Sequence, residues 1–427
     1  MEVPAAGVKH CLQVYINDGA FSARNCSVFS ELLADLVDLA VAVYTADWLS
    51  VRRAEKVYVI RVTLPVRNPN LLGSERSLNL LGSTLKWFTG DHWHFEFYSR
   101  EMPGRSAERQ DCIPVDIDTE VALWSGGLDS FAGLINRMAH SEDKVFTLFG
   151  TGCNKHINGV QQKLAAALRT NSSPRINLIQ VPFHINHAKH IRKNPKLRAR
   201  GFTFLLLGSV CAKLKNRDRL LVYENGIGAV NLPFRASEVG LDHSRSVHPV
   251  SLFRMTELLS FWLRDNFRFE NPFLFQTKAQ MCEIFKDRPE ADLIPLTISC
   301  DSRPRQKDIP IQCGFCSSCL LRRQALAAGC NKDETIYAIN KNLSVKQRHK
   351  LHFKAMQYQL ENLRMIIESD DPWRRITKRF QDLSDIADLP GNGFLGDSPE
   401  RLLLQLYERY VREWDRVHDI VGRDLTG

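Results

Sequence analysis

The chain has 427 residues, more than one ordinary hydrophobic core accommodates, so two or three structural units are expected. Its 44% hydrophobic and 25% charged residues exclude a collagen-like or wholly disordered chain. Lysine and arginine outnumber aspartate and glutamate by 57 to 48, a formal charge of +9, which suits a nucleotide phosphate, a nucleic acid or an acidic protein and equally a solvated basic surface.

The opening MEVPAAGVKH has an acid at position 2 and no long apolar core, so no secretory leader is expected. Residues 29–49 read as a helix, and the alternation in 56–64 and 93–99 predicts half-buried strands. Residues 1–112 are therefore expected to form an N-terminal α+β accessory domain. The polar stretch 100–111 predicts a linker, having little apolar surface to bury.

From Asp116 strands and helices alternate, and 116–335 is expected to be one domain. Residues 121–124 precede a helix with Phe131, Leu134, Ile135 and Met138 on one face, and 144–150 precede a helix around 160–168. Then follow the apolar run 176–183, a helix over 202–214 and a strand over 219–226. This pattern predicts an α/β class with a parallel sheet and helices on both faces. The longest apolar run, 202–212, falls short of the roughly 18 residues that cross a bilayer, so no membrane partner is expected. Residues 340–427 predict a helical region, in which Leu403, Tyr407, Tyr410, Trp414, Val417 and Val421 form one apolar stripe that suits packing on its own protein or on a partner helix.

The stretch VALWSGGLDSFAGL, residues 121–134, joins an apolar strand to a helix through Ser125, Gly126, Gly127, Leu128, Asp129 and Ser130. Parallel sheets bind ligands beyond the carboxyl ends of their strands, where this hinge falls. Glycines let the backbone approach an oxyanion, the serines add donors, and the helix start favours negative charge, which together suit a phosphate or pyrophosphate. A serine-capped turn is the plain alternative. The loop of common nucleotide triphosphatases is excluded, because no Gly-Lys-Ser/Thr closes it.

Eleven cysteines, an odd number and partly clustered, fit a reducing, cytoplasmic compartment better than a disulfide framework. Cys313, Cys316 and Cys319 lie at steps of three, with Cys300 thirteen residues ahead, and can converge on one tetrahedral ion. Structural Zn²⁺ fits them; an iron-sulfur cluster or bare thiols are the alternatives. Cys11, Cys26, Cys112, Cys153, Cys211 and Cys282 read as small buried hydrophobes, and His248 as structural.

The loop SGGLDS after an apolar strand resembles that of the PP-loop ATP pyrophosphatases. With the cysteine group about 170 residues later, and FQTKAQM (275–281) ahead of it, residues 116–329 look like the QueC family of 7-cyano-7-deazaguanine synthases. The longer gap after Cys300 and the extensions on both sides are more similar to the QueC-like component of Qat anti-phage systems, whose outer regions imply contacts with protein partners from the same operon. The resemblance implies ATP, Mg²⁺ and Zn²⁺ as cofactors and a 7-deazaguanine-type carboxylate as substrate, adenylated and then attacked by a nitrogen nucleophile. ATP would lie over residues 125–130, with Gly150 near the adenine. Asp129 would meet Mg²⁺ or simply favour the helix start, and Arg198 and Arg200 would meet phosphate or carboxylate unless they belong to a solvated basic loop. Glu224, Asn225 and Lys278 would face the substrate, although Asn225 also fits a plain turn. A PP-loop tRNA-modifying enzyme, with nucleic acid as partner, and a non-catalytic nucleotide-sensing scaffold are the rival readings.

Overall fold

Five parallel strands form the centre of the protein. In chain order the strands are β1 (Glu2–Ala5), β2 (Val8–Cys11), β3 (Gln13–Ile16), β4 (Val59–Val66), β5 (His92–Ser99), β6 (Thr119–Leu123), β7 (Val145–Gly150), β8 (Ile176–Gln180), β9 (Phe183–Asn186), β10 (Arg219–Leu221) and β11 (Arg268–Glu270). The central sheet has the order β11-β10-β6-β7-β8, every neighbouring pair being parallel. The structure, a computed structural model, describes residues 2–426 apart from 6–7, 23–28, 53–56, 102–117, 142, 152–153, 173–174, 187–193, 195–196, 235–244, 302–310, 339–342 and 390–397. The expected linker, beyond its first two residues, and Cys26, Cys112 and Cys153 lie outside the described residues, as does the side chain of Cys11.

Side chains alternate across a strand, and here the alternation sorts two cores. Val121, Phe149 and Leu220 belong to one hydrophobic cluster, whereas Ala122, Leu148 and Leu221 belong to the other. The first cluster takes in the helices Glu31–Leu49, Arg200–Leu214 and Pro249–Leu263, and the second takes in Leu128–Ala139 and Leu164 and Leu168 of Lys155–Asn171. The expected α/β class is thus observed, with helices on both faces.

Counting from β6, the chain steps outward through β7 and β8, then crosses back to β10 and β11 on the other side. The carboxyl end of β6 is therefore the topological switch point, where open parallel sheets leave a crevice. Residues 125–130 leave β6 there.

The N-terminal elements share the first cluster with the sheet. Ser30 caps the helix Glu31–Leu49 by accepting from the Leu33 amide, and the Thr203 hydroxyl donates to the Ala40 carbonyl at 3.2 Å. β4 and β5 pair in parallel, joined by Pro69–Leu72 and by Glu75–Thr89, a helix the sequence reading leaves out. Two expected strands are shorter than their apolar runs. The run 176–183 breaks at Pro182, which has no amide proton, so that β9 turns away to pair antiparallel with β3. The run 219–226 ends its strand at Leu221, because Asn225 caps the helix Gly226–Val230 through the Gly228 amide. His248 is structural, its Nδ1 accepting from the Val250 amide at the start of Pro249–Leu263.

The C-terminal helices are Leu343–Ile367, Pro372–Arg379, Asp382–Ala387 and Pro399–Thr426. All six residues of the expected stripe are buried in a third cluster made by this chain, at 0–4% exposure. Among the described residues no helix is long and apolar enough to cross a membrane.

Candidate functional site

The turn after β6 depends on its glycines. Gly126 has φ of 75°, a left-handed conformation that L side chains rarely adopt. Its carbonyl accepts from the Ile298 amide at 2.9 Å, which ties the loop to the segment just ahead of Cys300. Gly127 caps the helix Leu128–Ala139 without a side chain of its own, and a Cβ there would lie 3.3 Å from the Ile298 carbonyl oxygen. The serine hydroxyls organise the turn from within. Ser125 Oγ accepts from the Gly127 amide at 3.1 Å and lies 3.0 Å from Ser130 Oγ, which in turn donates to the Gly127 carbonyl. The Leu128 amide points to Ser299 Oγ at 3.4 Å. The result is a helix start at the carboxyl end of β6, ringed by backbone amides and three hydroxyls, donor chemistry of the kind that takes an oxyanion.

Four residues singled out in the sequence meet beside this turn. Asp129, in the first turn of the helix, forms an ion pair with Lys278 at 2.7 Å and accepts from Asn225 Nδ2 at 2.8 Å. The same Asn225 amide donates to Glu224 Oε1 at 2.9 Å. Burial pushes the Glu224 carboxyl up to about 8, with the Asp129 charge adding to the rise and Lys278 opposing it. Burial alone would depress Lys278, but Asp129 and Glu224 outweigh it and hold the ammonium above its usual range. Two acidic groups thus flank one buried ammonium: Asp129 pairs with it, and Glu224 is pushed toward its protonated form. Gly228 makes room for this arrangement, since a Cβ there would lie 2.3 Å from Glu224 Oε1.

The other expected residues have different neighbours. Gly150, expected near the adenine, has a packing reason for its lack of a side chain, because a Cβ would lie 2.4 Å from Gln161 Oε1. Buried Gln161 donates to the Trp124 carbonyl at 2.5 Å and accepts from Gln180 at 2.8 Å, stitching the loop to β8. Arg198 Nη1 donates to the Thr89 carbonyl at 2.9 Å, and Arg200 lies over the Phe204 ring at 5.1 Å. The basic residues ahead of them, at 187–193 and 195–196, lie outside the described residues. An open cavity of about 730 Å³, lined by Arg67, Asn68, Ser74, Ser260, Phe261 and Arg264 among others, involves none of the residues around the loop.

Cys300, Cys313, Cys316 and Cys319 are all buried, with their sulfur atoms within 4.8 Å of one another. Gly314, at φ of 84°, turns the Phe315 and Cys316 amides toward Cys313 Sγ at 3.5 and 3.3 Å. Cys313 Sγ and Cys319 Sγ are 3.7 Å apart. A tetrahedron with metal–sulfur bonds near 2.3 Å has edges of about 3.8 Å, so the group can hold one metal ion. Among the described residues this is the one group of three or more ligand-type side chains so placed. Asp129 has less to offer a cation, because both of its oxygens already meet Lys278 and Asn225.

The metal-type knot and the glycine loop are neighbours. Buried Gln312 accepts from the Ser299 amide at 3.0 Å and donates to the Thr297 carbonyl at 3.1 Å. The fully buried Arg322, three residues after Cys319, donates to Thr297 Oγ1 at 2.7 Å, to the Ile294 carbonyl at 2.8 Å and to Thr335 Oγ1 at 2.9 Å. These bonds hold residues 297–299 against Gly126 and Leu128. Sequence reasoning missed Gln161, Ser299 and Arg322, and only Ser299 carried a signal, its place beside a candidate ligand. A comparison with protein-family models finds no match, and a search of curated proteins finds no relative.

Proposed function

We propose that the protein is an ATP-dependent adenylating enzyme of the QueC type, acting on a 7-deazaguanine-type carboxylate. One observation carries the reading: a left-handed glycine turn at the switch point of a parallel sheet, with the Asp129, Lys278, Glu224 and Asn225 cluster on the first turn of its helix. The amides and hydroxyls of residues 125–130 hold the pyrophosphate part of ATP. A substrate carboxylate oxygen forms a bond to the α-phosphorus as the bond to pyrophosphate breaks. A nitrogen nucleophile then forms a bond to the activated carbonyl carbon, and AMP leaves with the carboxyl oxygen.

The residues around the loop bind and orient. Lys278 offsets the charge of Asp129 and of the incoming phosphates, while protonated Glu224 offers a donor to a purine-like ring and Asn225, bonded to both acids, orients them. Arg198 and Arg200 would reach phosphate or carboxylate only by leaving the Thr89 carbonyl and the Phe204 ring. Mg²⁺ would supply the counter-charge of the ATP phosphates, and Asp129 would hold it only by giving up its contact with Lys278 or Asn225. Zn²⁺ suits the four cysteines, where it supplies structure by holding residues 297–300 beside the loop. The final acceptor is ammonia, as for a nitrile-forming synthase, or an amine on a partner protein of an anti-phage system.

Purified protein incubated with ATP, Mg²⁺ and 7-carboxy-7-deazaguanine, with and without ammonia or operon partners, tests this by mass spectrometry. Release of AMP and pyrophosphate that depends on the carboxylate supports the proposal, and an amide, a nitrile formed from it after a second adenylation of the amide oxygen, or a partner mass increase identifies the acceptor. ATP binding without pyrophosphate release under any condition sinks it and favours a nucleotide-sensing scaffold. Elemental analysis should give one zinc per chain, lost together with the fold when Cys319→Ser removes a ligand.

A further inference from the structure

The stripe of the helix Pro399–Thr426 is interrupted by a carboxylate. Glu413, 5% exposed, lies between Tyr410 and Val417 on the buried face. Its Oε1 accepts the Thr277 hydroxyl at 2.6 Å and its Oε2 accepts Gln324 Nε2 at 3.1 Å. Burial raises its pKa, with both hydrogen bonds opposing the rise. A charge placed among apolar side chains costs stability that a well-packed leucine would not, so geometry is the gain to look for.

The geometry leads to the loop. Thr277 caps the short helix Lys278–Cys282: its Oγ1 accepts from the Gln280 amide at 3.1 Å, and the Gln280 side chain accepts from the Thr277 amide at 3.0 Å. A hydroxyl has one proton, and giving it to Glu413 leaves the lone pair aimed at Gln280. Lys278, the next residue, makes the ion pair with Asp129. Gln324, the other partner, lies on the helix Ser317–Gly329, which also carries Cys319. The same C-terminal helix touches the site again, where Arg409 donates to the Phe275 carbonyl at 3.1 Å and Leu406 Cδ2 lies 2.6 Å from where a Cβ on Gly226 would be.

We infer that Glu413 is a positioning residue for Lys278, acting through the Thr277 cap, and that the C-terminal helix is thereby part of the site rather than an appendage to it. The effect on turnover rests on the adenylation reading; the effect on Lys278 does not.

The test uses the full chain as wild type, Glu413→Gln and Glu413→Leu. Each is exposed under native conditions to an amine-acylating reagent, and labelling of every lysine is followed by peptide mass spectrometry beside pyrophosphate release. In Glu413→Leu the unanchored cap lets Lys278 label about tenfold faster while other lysines keep their rates, and turnover falls by a similar factor. Glu413→Gln restores both, because its side-chain oxygen still accepts from Thr277 and the Gln324 amide can turn to match. The inference is overturned if Lys278 labels at the wild-type rate in Glu413→Leu, if all lysines accelerate together, or if glutamine rescues nothing. Should the leucine variant not fold, Glu413→Asp, one methylene too short to reach Thr277, is read by the same criteria. A wild type without pyrophosphate release overturns adenylation alone, and the labelling pattern still decides the role of Glu413.

Discussion

Two regions of the molecule bury charge, and they do so differently. On the N-terminal face, fully buried Asp35 accepts from the Arg67 and Asn68 amides at 2.8 and 2.9 Å, from Asn68 Nδ2 at 2.9 Å and from Arg67 Nη1 at 3.1 Å. Every direction from that carboxylate ends on a donor, and its task is to fix the chain between β4 and the next helix. Beside the glycine loop, Asp129 and Glu224 share Lys278 and one Asn225 amide, and Glu224 is left with its pKa near 8. A saturated network is committed to the fold; one that leaves an acid with a raised pKa is not, and under the adenylation proposal that remainder serves the ligand.

The largest effect expected from breaking this contrast is on the saturated side. Asp35→Ala removes the acceptor of two backbone amides and one of the two carboxylates that meet Arg67, Asp38 being the other, and should cost about 3 kcal/mol in denaturant unfolding, with pyrophosphate release per folded molecule unchanged. A fall in that specific activity would mean the network is not purely structural. Gly126→Ala comes next. It forces a left-handed alanine and should cost about 1–2 kcal/mol of stability, while ATP affinity by calorimetry falls much further than that strain explains. Equal losses in the two measurements would reduce the turn to a fold element.

The subtlest change is Glu224→Gln. Because the folded pKa of about 8 lies above the ordinary 4.5, the folded state holds the extra proton, and the stabilisation is full below pH 4.5 and lost as pH rises to about 8. Wild-type stability should therefore decline across that window, and the glutamine variant should lack that decline. Parallel stability-against-pH curves for the two proteins would show that Glu224 titrates normally.

Much of the central sheet was legible. β6 and β7 are short, largely apolar runs, β6 followed by a glycine-containing turn, and their burial marks them as central strands. The limits came where one residue outweighs a pattern, as at Pro182 and Asn225. The helix Glu75–Thr89 was readable, with Leu78, Leu81, Leu85 and Phe88 at helical spacing between Ser74 and Gly90. It went unread because flanking strands dominated that region. At the site, Asp129, Glu224, Asn225 and Lys278 were named separately, and only the fold brings residues up to 149 positions apart into one cluster. Gln161 and Arg322 could not be found, since a glutamine or arginine in a helix reads as solvated surface. Glu413 left a trace as the one acid on an otherwise apolar stripe.

The pairing of β3 with β9 has a consequence for how the molecule is made. Residues 13–16 find their hydrogen-bonding partners only at 183–186. At translation rates of about 5–20 residues per second, this strand edge waits on the order of ten seconds or more for its mate to be synthesised. During that interval its open amides are available to any other extended chain, so early yield should depend on whatever shields that edge on the ribosome.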